Sequence, residues 1–406
     1  MKKIVLFFLV LLSSEIIFSQ SWVQITDFPS TERDDGTSFV IGDTAYCGTG
    51  LKPFFVASND MYSFDMNTET WATINSLPAG TERQYATGFS YNNFGFIFGG
   101  VGSVYYNDLW MYDPITGNWQ AKTPLPALGR MGSSCFVIND TAYIVGGRTS
   151  VAQSISDVWA YCISADTWTP KNNLPFGARW RASATTDNTK GYLIFGKDSA
   201  SVSRKELYEF NPATNLWTQI STFPGNGRAY AAMKFISGDL LVLAGLDSLG
   251  KSYNDMWRIN PSSLVWQSLD TIPSLGRRGG MCFNSSTTIY YTAGINQTNN
   301  RLKETWKVFN PTTIIENGID FNVELFPNPV TNDFTIRILS EGNKMYIAEL
   351  YNVMGQVIYK DKIENNTLTL DIAIVPQGMY ICKVSEINSS QTNQSFSIMK
   401  KIVVQH

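Results

Sequence analysis

Any chemistry in this chain has to be built from arginine, lysine, carboxylates and aromatic rings. Its 406 residues hold one histidine, His406, at the very end. A Ser-His-Asp hydrolase and a histidine-ligated zinc centre therefore lack their essential group. A glycosidase needs two carboxylates converging at roughly 5–10 Å, and no couple of acids stands apart from those that recur regularly along the chain. Neither a metal site nor a cofactor is expected. Cations and flat aromatic surfaces remain, and these suit an anionic or carbohydrate ligand, because charge speeds encounter and rings offer contact area. The candidate ligand-binding residues are Asp35, Tyr85, Arg148, Trp180, Arg181, Lys197, Tyr230 and Arg278.

These residues are singled out because they break a repeat. Tryptophans at Trp22, Trp71, Trp119, Trp168, Trp217 and Trp266 are spaced 49, 48, 49, 49 and 49 residues apart, a period diagnostic of repeated supersecondary units. Prolines at Pro29, Pro78, Pro126, Pro175, Pro224 and Pro273 keep step, as do arginines at Arg33, Arg83, Arg130, Arg179, Arg228 and Arg277. So do the acids Asp60, Asp108, Asp157, Glu206, Asp255 and Glu304. A residue present in every unit is expected to hold that unit together, so these arginines and acids are read as structural partners within or between units. The competing reading is a ring-shaped anion site.

Within one unit, Ser134–Ile138 and Ala142–Val145 are apolar runs separated by Asn139-Asp140. Gly146-Gly147, a polar loop, the alternating segment 157–161 and Trp168 follow. That is four short strands with turns between them. Asp-Pro or Asn-Pro at 113–114, 211–212, 260–261 and 310–311 presets type I turns. Antiparallel order puts the loops between second and third strands on one face with the Pro-to-Arg crossovers. Those loops carry eight basic residues (Lys52, Arg148, Lys197, Arg204, Lys205, Lys251, Arg301, Lys303) against two acids, Asp198 and Asp247. Aromatic side chains accompany them at Phe54, Phe55, Tyr105, Tyr106 and Tyr253.

The glycine pair, the acidic-x-aromatic step and the following Trp resemble the kelch repeat over residues 22 to about 311. The resemblance implies an all-β, six-bladed propeller. The first glycine is missing in units four to six, and Thr49 replaces it in the first. Unit six leaves at Asn310-Pro311 without an outer strand, while Ser21–Ile25 is an orphan strand at the front, so Trp22 is expected to complete the last blade. A tryptophan burying about 150–250 Å² contributes at most roughly 4–6 kcal/mol. A galactose oxidase-like copper site, known on kelch-type repeats, lacks its histidines here. Kelch propellers that epimerise sialic acid are similar at the level of the fold, which is a weak warrant for activity.

Charged residues form 16 % of the chain and aromatic residues 13 %, with a formal net charge of −3. No basic excess points to nucleic acid. Lys2, Lys3 and the apolar run Ile4–Leu12 read as a secretory signal over 1–19, too short to span a membrane. The mature protein is expected to have no transmembrane segment. Five cysteines form no dense framework. Cys135 and Cys282 hold equivalent places and are read as small apolar fillers. After a linker over 312–320, residues 321–406 show short alternating strands, the small β-sandwich of a second domain. Phe326-Pro327-Asn328-Pro329, Asp333-Phe334-Thr335-Ile336, Leu350–Gly355, Gln377-Gly378-Met379-Tyr380 and Lys400–Val404 resemble, in order, the type A C-terminal sorting domain of the type IX secretion system of Bacteroidetes. The resemblance implies recognition by that machinery, removal of the tail, and release or fixation at the outer surface. An immunoglobulin-like accessory module is the alternative for the tail.

Three functions fit: a secreted or surface propeller binding protein or acidic glycan; a sugar-acid epimerase or mutarotase using Arg181, Arg278 and Tyr85 or Tyr230; or an adhesive surface component. Catalysis is the less favoured expectation.

Overall fold

Period-two apolar alternation broken by Gly and Asx turns produces short strands, and in the first part of the chain these assemble by consecutive antiparallel pairing. The structure is a computed structural model that describes residues 22–309, 321–340, 345–352, 356–387 and 397–405. The secretory signal, the linker and His406 lie outside the described residues. Two compact units divide between residues 310 and 311.

The described part of the first unit is built on six four-stranded antiparallel sheets, accompanied by short two-stranded ribbons. Blade 1 spans residues 37–74, blade 2 87–122, blade 3 134–171, blade 4 180–222 and blade 5 232–269. Blade 6 takes three strands from 281–309 and its fourth from Val23–Ile25, which pairs antiparallel with Thr305–Phe309. Val23 stands opposite Lys307 and Ile25 opposite Thr305. The segment carrying Trp22 thus occupies the place left open by the last unit, and the ring has no exposed lateral edge.

No single core exists. Each pair of neighbouring blades encloses its own buried cluster. Phe39, Tyr46 and Met61 of blade 1 pack with Ile97 and Tyr112 of blade 2; Leu241 and Leu243 of blade 5 pack with Ile289, Tyr291 and Trp22 of blade 6. Close approach is enforced by small residues. A Cβ at Gly95 would lie 1.9 Å from the Phe39 ring, and one at Gly191 2.3 Å from Phe136. Except for Trp217, the periodic tryptophans each fasten a blade to the one before it. Trp71 Nε1 donates to the Thr26 carbonyl (3.2 Å), Trp119 to Asn75 (2.9 Å), Trp168 to Thr123 (2.8 Å) and Trp22 to Asp270 (3.0 Å). Trp22 is buried, whereas the other five are partly exposed. The full-burial energy therefore overstates them.

The repeat arginines act within their blades. Arg83 places Nη1 and Nη2 on the two oxygens of Asp108 (2.7 and 2.8 Å), and Arg130 does the same to Asp157 (2.8 and 2.9 Å). Arg33 with Asp60 and Arg228 with Asp255 repeat the fork, while Arg277 meets Glu304 through Nη2 at 2.6 Å. The acidic-x-aromatic step has a physical cause. The aromatic residue two positions on donates to the same carboxylate, as Trp110 does to Asp108 (2.7 Å) and Trp306 to Glu304 (2.9 Å). Such charge-assisted forks are stronger than neutral hydrogen bonds. Burial opposes ionisation of Asp60, yet Arg33 holds its carboxyl well below the usual range. Blade 4 departs: Arg179 reaches Glu206 only at 3.8 Å and turns its Nη1 to the Ala178 carbonyl at 2.9 Å.

The second unit is a sandwich. Phe321–Phe326, Asp333–Ser340 and Thr367–Asp371 form one sheet; Met345–Tyr351, Val357–Ile363, Gly378–Ile387 and Ser397–Val404 form the other. Val323, Phe334, Ile336 and Leu370 of the first meet Tyr346, Leu350, Val384 and Ile402 of the second in a shared core. All five cysteines are free thiols; Cys135 and Cys162 are only partly buried.

Candidate functional site at the propeller axis

Two residues after each repeat arginine, the chain turns inward with positive φ. The residues are Asp35 (56°), Tyr85 (58°), Gly132 (62°), Arg181 (56°), Tyr230 (62°) and Gly279 (65°). Their amides close a ring. Asp35 N–H donates to Gly279 O (2.7 Å), Tyr85 to Asp35 (2.9 Å), Gly132 to Tyr85 (2.8 Å), Arg181 to Gly132 (2.8 Å), Tyr230 to Arg181 (3.2 Å) and Gly279 to Tyr230 (3.4 Å). Left-handed backbone at four non-glycine residues costs of order 1 kcal/mol each, so this ring is held by the blades around it.

Side chains from the ring plug the axis along its diagonals. Arg181 of blade 4 reaches Asp35 of the opposite blade 1 in a buried ion pair. Tyr85 of blade 2 faces Tyr230 of blade 5 with ring centroids 6.3 Å apart. The Arg181 guanidinium lies between them, 4.4 Å from the Tyr85 centroid and 4.3 Å from that of Tyr230. The third diagonal is two glycines, which the plug demands: a Cβ at Gly132 would sit 2.7 Å from Arg181 Cδ, and one at Gly279 2.6 Å from Asp35 Oδ1. Burial pushes the Asp35 carboxyl up to about 7, against the pull of Arg181. Burial, and then the Asp35 carboxylate, push the Tyr85 phenol up as well.

Above the plug stands Trp180, its ring 6.1 Å from Tyr85 and 5.8 Å from Tyr230. Arg148 lies over Trp180 at 5.6 Å, and Arg278 over Tyr230 at 5.8 Å. Neither arginine has a carboxylate partner among the described residues. Of the eight sequence candidates, Asp35, Tyr85, Arg181 and Tyr230 thus form the plug, while Trp180, Arg148 and Arg278 form its rim. Lys197 pairs through its backbone with Trp180, which places it beside the rim.

Two expectations change. The basic excess on this face is smaller than the loops alone suggested, because residues outside them supply acids. Lys52 pairs with Asp60 (2.9 Å), Arg301 with Asp34 (2.6 Å) and Lys303 with Asp27 (4.0 Å); within its own loop, Arg204 is held by Asp198 (2.8 Å). Two of the loop aromatics serve the blade latches: Tyr106 lies under Arg83 at 4.2 Å and Tyr253 under Arg228 at 4.0 Å. Gly132 and Gly279 were missed as site residues. Their place two residues after a repeat arginine was the signal, since every such position contributes to the ring.

Comparison with known proteins agrees with this architecture. The Attractin/LZTR1 beta-propeller family profile matches residues 46–251, and that of the secretion system C-terminal sorting domain matches 324–405. The N-acetylneuraminate epimerase of Shigella sonnei is 30% identical over 120 residues, 28% of this chain and 31% of that protein. The protein of that name from Escherichia coli K12 is 29% identical over the same shares. The chain therefore spans about a third of the length of these relatives. A solved structure, that of YjhT, superposes with a TM-score of 0.61 at 18% identity, covering 70% of this chain and 99% of the other; that likeness is one of fold. The chain belongs to the Attractin/LZTR1 beta-propeller family, as a kelch-type six-bladed propeller joined to a type IX secretion C-terminal sorting domain.

Proposed function

We propose that the propeller is an exported binding module for acidic carbohydrate, recognised on the face above the axial plug. The observation that carries this reading is the rim. Arg148 and Arg278 lack carboxylate partners and flank the rings of Trp180 and Tyr230, whereas Arg181 beneath them is already neutralised by Asp35. Unpaired guanidiniums take a carboxylate or sulfate, and aromatic faces take the apolar side of a sugar ring. In this reading residues 1–19 direct export, and the sorting domain delivers the propeller to the surface or the medium. Binding to immobilised acidic and neutral glycans at low and moderate salt tests it. Retention of the acidic glycans, weakened by salt and at least about tenfold weaker in an Arg148→Ala/Arg278→Ala variant, is expected. Equal retention of both glycan classes, or of neither, overturns it.

A second reading, sugar-acid epimerase or mutarotase, is favoured by one observation: the buried Asp35 carboxyl paired with Arg181 at the axis, which burial pushes up to about 7, suited to exchange protons near neutrality. The partial similarity to N-acetylneuraminate epimerases supports it. Asp35 would move the proton and Arg278, at the rim beside Tyr230, would orient the substrate's acid group. NMR of the α-anomer of sialic acid decides: interconversion accelerated by the protein and abolished by Asp35→Asn supports it, and a rate equal to buffer removes it.

A further inference from the structure

Below the plug the channel changes character. Its waist is lined by the small residues one step past the ring, Gly36, Ala86, Ser133, Ala182, Ala231 and Gly280, and encloses about 90 Å³. Toward the turns that join first and second strands it widens to a cavity of about 570 Å³ against the inner strands of blades 2 to 5. That is the volume of a small-molecule site.

The widening has a cause in the repeat. Six residues after the repeat arginine, blades 1, 2, 3 and 6 carry Phe39, Phe89, Phe136 and Phe283, all buried between blades. Blades 4 and 5 carry Thr185 and Lys234 instead, and both line the cavity, together with Phe89 and Phe136 of blades 2 and 3. The register is unchanged: Phe39 stands opposite Tyr46, Phe136 opposite Tyr143, Thr185 opposite Tyr192 and Lys234 opposite Leu241. Two phenyl rings are thus exchanged for a hydroxyl and an ammonium at one place in the fold. Lys234 is half-buried and has no hydrogen-bond or ion-pair partner among the described residues. Among the described residues it is the only cationic one lining the cavity, and none of them brings a carboxylate to its wall. An ammonium held partly out of water without a counter-charge costs free energy that an anion would offset. Around it stand hydroxyls and amides, Ser90, Thr186, Asn139 and Asn188.

We propose that this end of the channel is a second ligand site, taking a small polyhydroxylated organic carboxylate whose acid group meets Lys234 and whose hydroxyls meet Thr185, Thr186 and Ser90. The plug separates it from the Arg148 and Arg278 rim, so the two sites are independent.

The test uses the full chain with three probes: gluconate, the neutral polyol glucitol and inorganic phosphate, titrated by calorimetry. A parallel measurement follows acetylation of Lys234 by mass spectrometry with and without gluconate. Gluconate is expected to bind saturably and to protect Lys234, while glucitol does neither. Lys234→Met is expected to weaken gluconate at least tenfold and Thr185→Val about threefold. Should Lys234→Met fail to fold, the protection measurement and Thr185→Val decide. Equal binding of gluconate and glucitol, phosphate binding as tightly as gluconate, or Lys234 acetylated equally with and without gluconate overturns the proposal.

Discussion

Arg181 grips Asp35 across the propeller axis, 146 residues apart in sequence. That separation is three repeat units, and three units in a ring of six is a half-turn. The pair therefore ties blade 1 to blade 4 through the centre, where neighbouring-blade contacts cannot reach. Its environment makes it titratable, and its neighbours leave no room for a larger partner.

Asp35 should make stability depend on pH in an unusual direction. Its folded pKa, about 7, lies above the ordinary value of a free aspartate, so the folded state binds the extra proton. The stability this group contributes is complete below the unfolded pKa near 4 and is lost as pH rises toward 7. Asp35→Asn tolerates the left-handed backbone and removes the titration. Urea midpoints at pH 5 and pH 8 should show the variant gaining on the wild type as pH rises; a gap unchanged with pH contradicts this.

Gly132→Ala and Gly279→Ala meet two penalties at once, positive φ and collision with the plug. A loss of about 2–4 kcal/mol is expected for each. Gly42 supplies the control, since it also has positive φ, 56°, but nothing within 4 Å of an added Cβ. Gly42→Ala should cost only about 1 kcal/mol. Equal losses at all three glycines would mean that the plug is not tightly packed.

Arginine-to-lysine substitution should separate the blade latches. Arg83→Lys breaks a buried two-pronged contact with Asp108 and should cost about 2–4 kcal/mol. Arg179→Lys disturbs a single 3.8 Å approach and should cost clearly less. Chemical denaturation of both variants checks the order.

Closure makes Trp22 more valuable than its repeat mates. Trp22→Ala removes a buried ring and its bond to Asp270, with an expected loss of about 3–5 kcal/mol. Trp217 gives the contrast, because its buried Nε1 has no hydrogen-bond partner. Trp217→Phe should be tolerated better than Trp168→Phe, which loses the bond to Thr123. Thermal melts of the three variants test the ranking.

Much of the fold was legible because a repeat writes its own geometry. The Trp period, the Asp-Pro turns and the orphan strand at Trp22 are local or additive signals, and pairing of consecutive strands turns them into blades. The repeat arginines could likewise be read as structural, since a residue recurring in every unit more often holds the unit together than serves one site. The loop charge was misjudged because Asp27, Asp34 and Asp60 sit outside the loops in sequence and beside them in space.

By itself, then, the chain's order of residues determined the blade number, the closing strand and the small sandwich that follows, because each rests on periodic burial and near-neighbour pairing. Only the tertiary structure decided that Asp35 neutralises Arg181, that Gly132 and Gly279 clear their path, and that Thr185 and Lys234 open the far end of the channel. Those relations depend on which blades face one another across the axis and on how far each side chain reaches, and no local pattern encodes either.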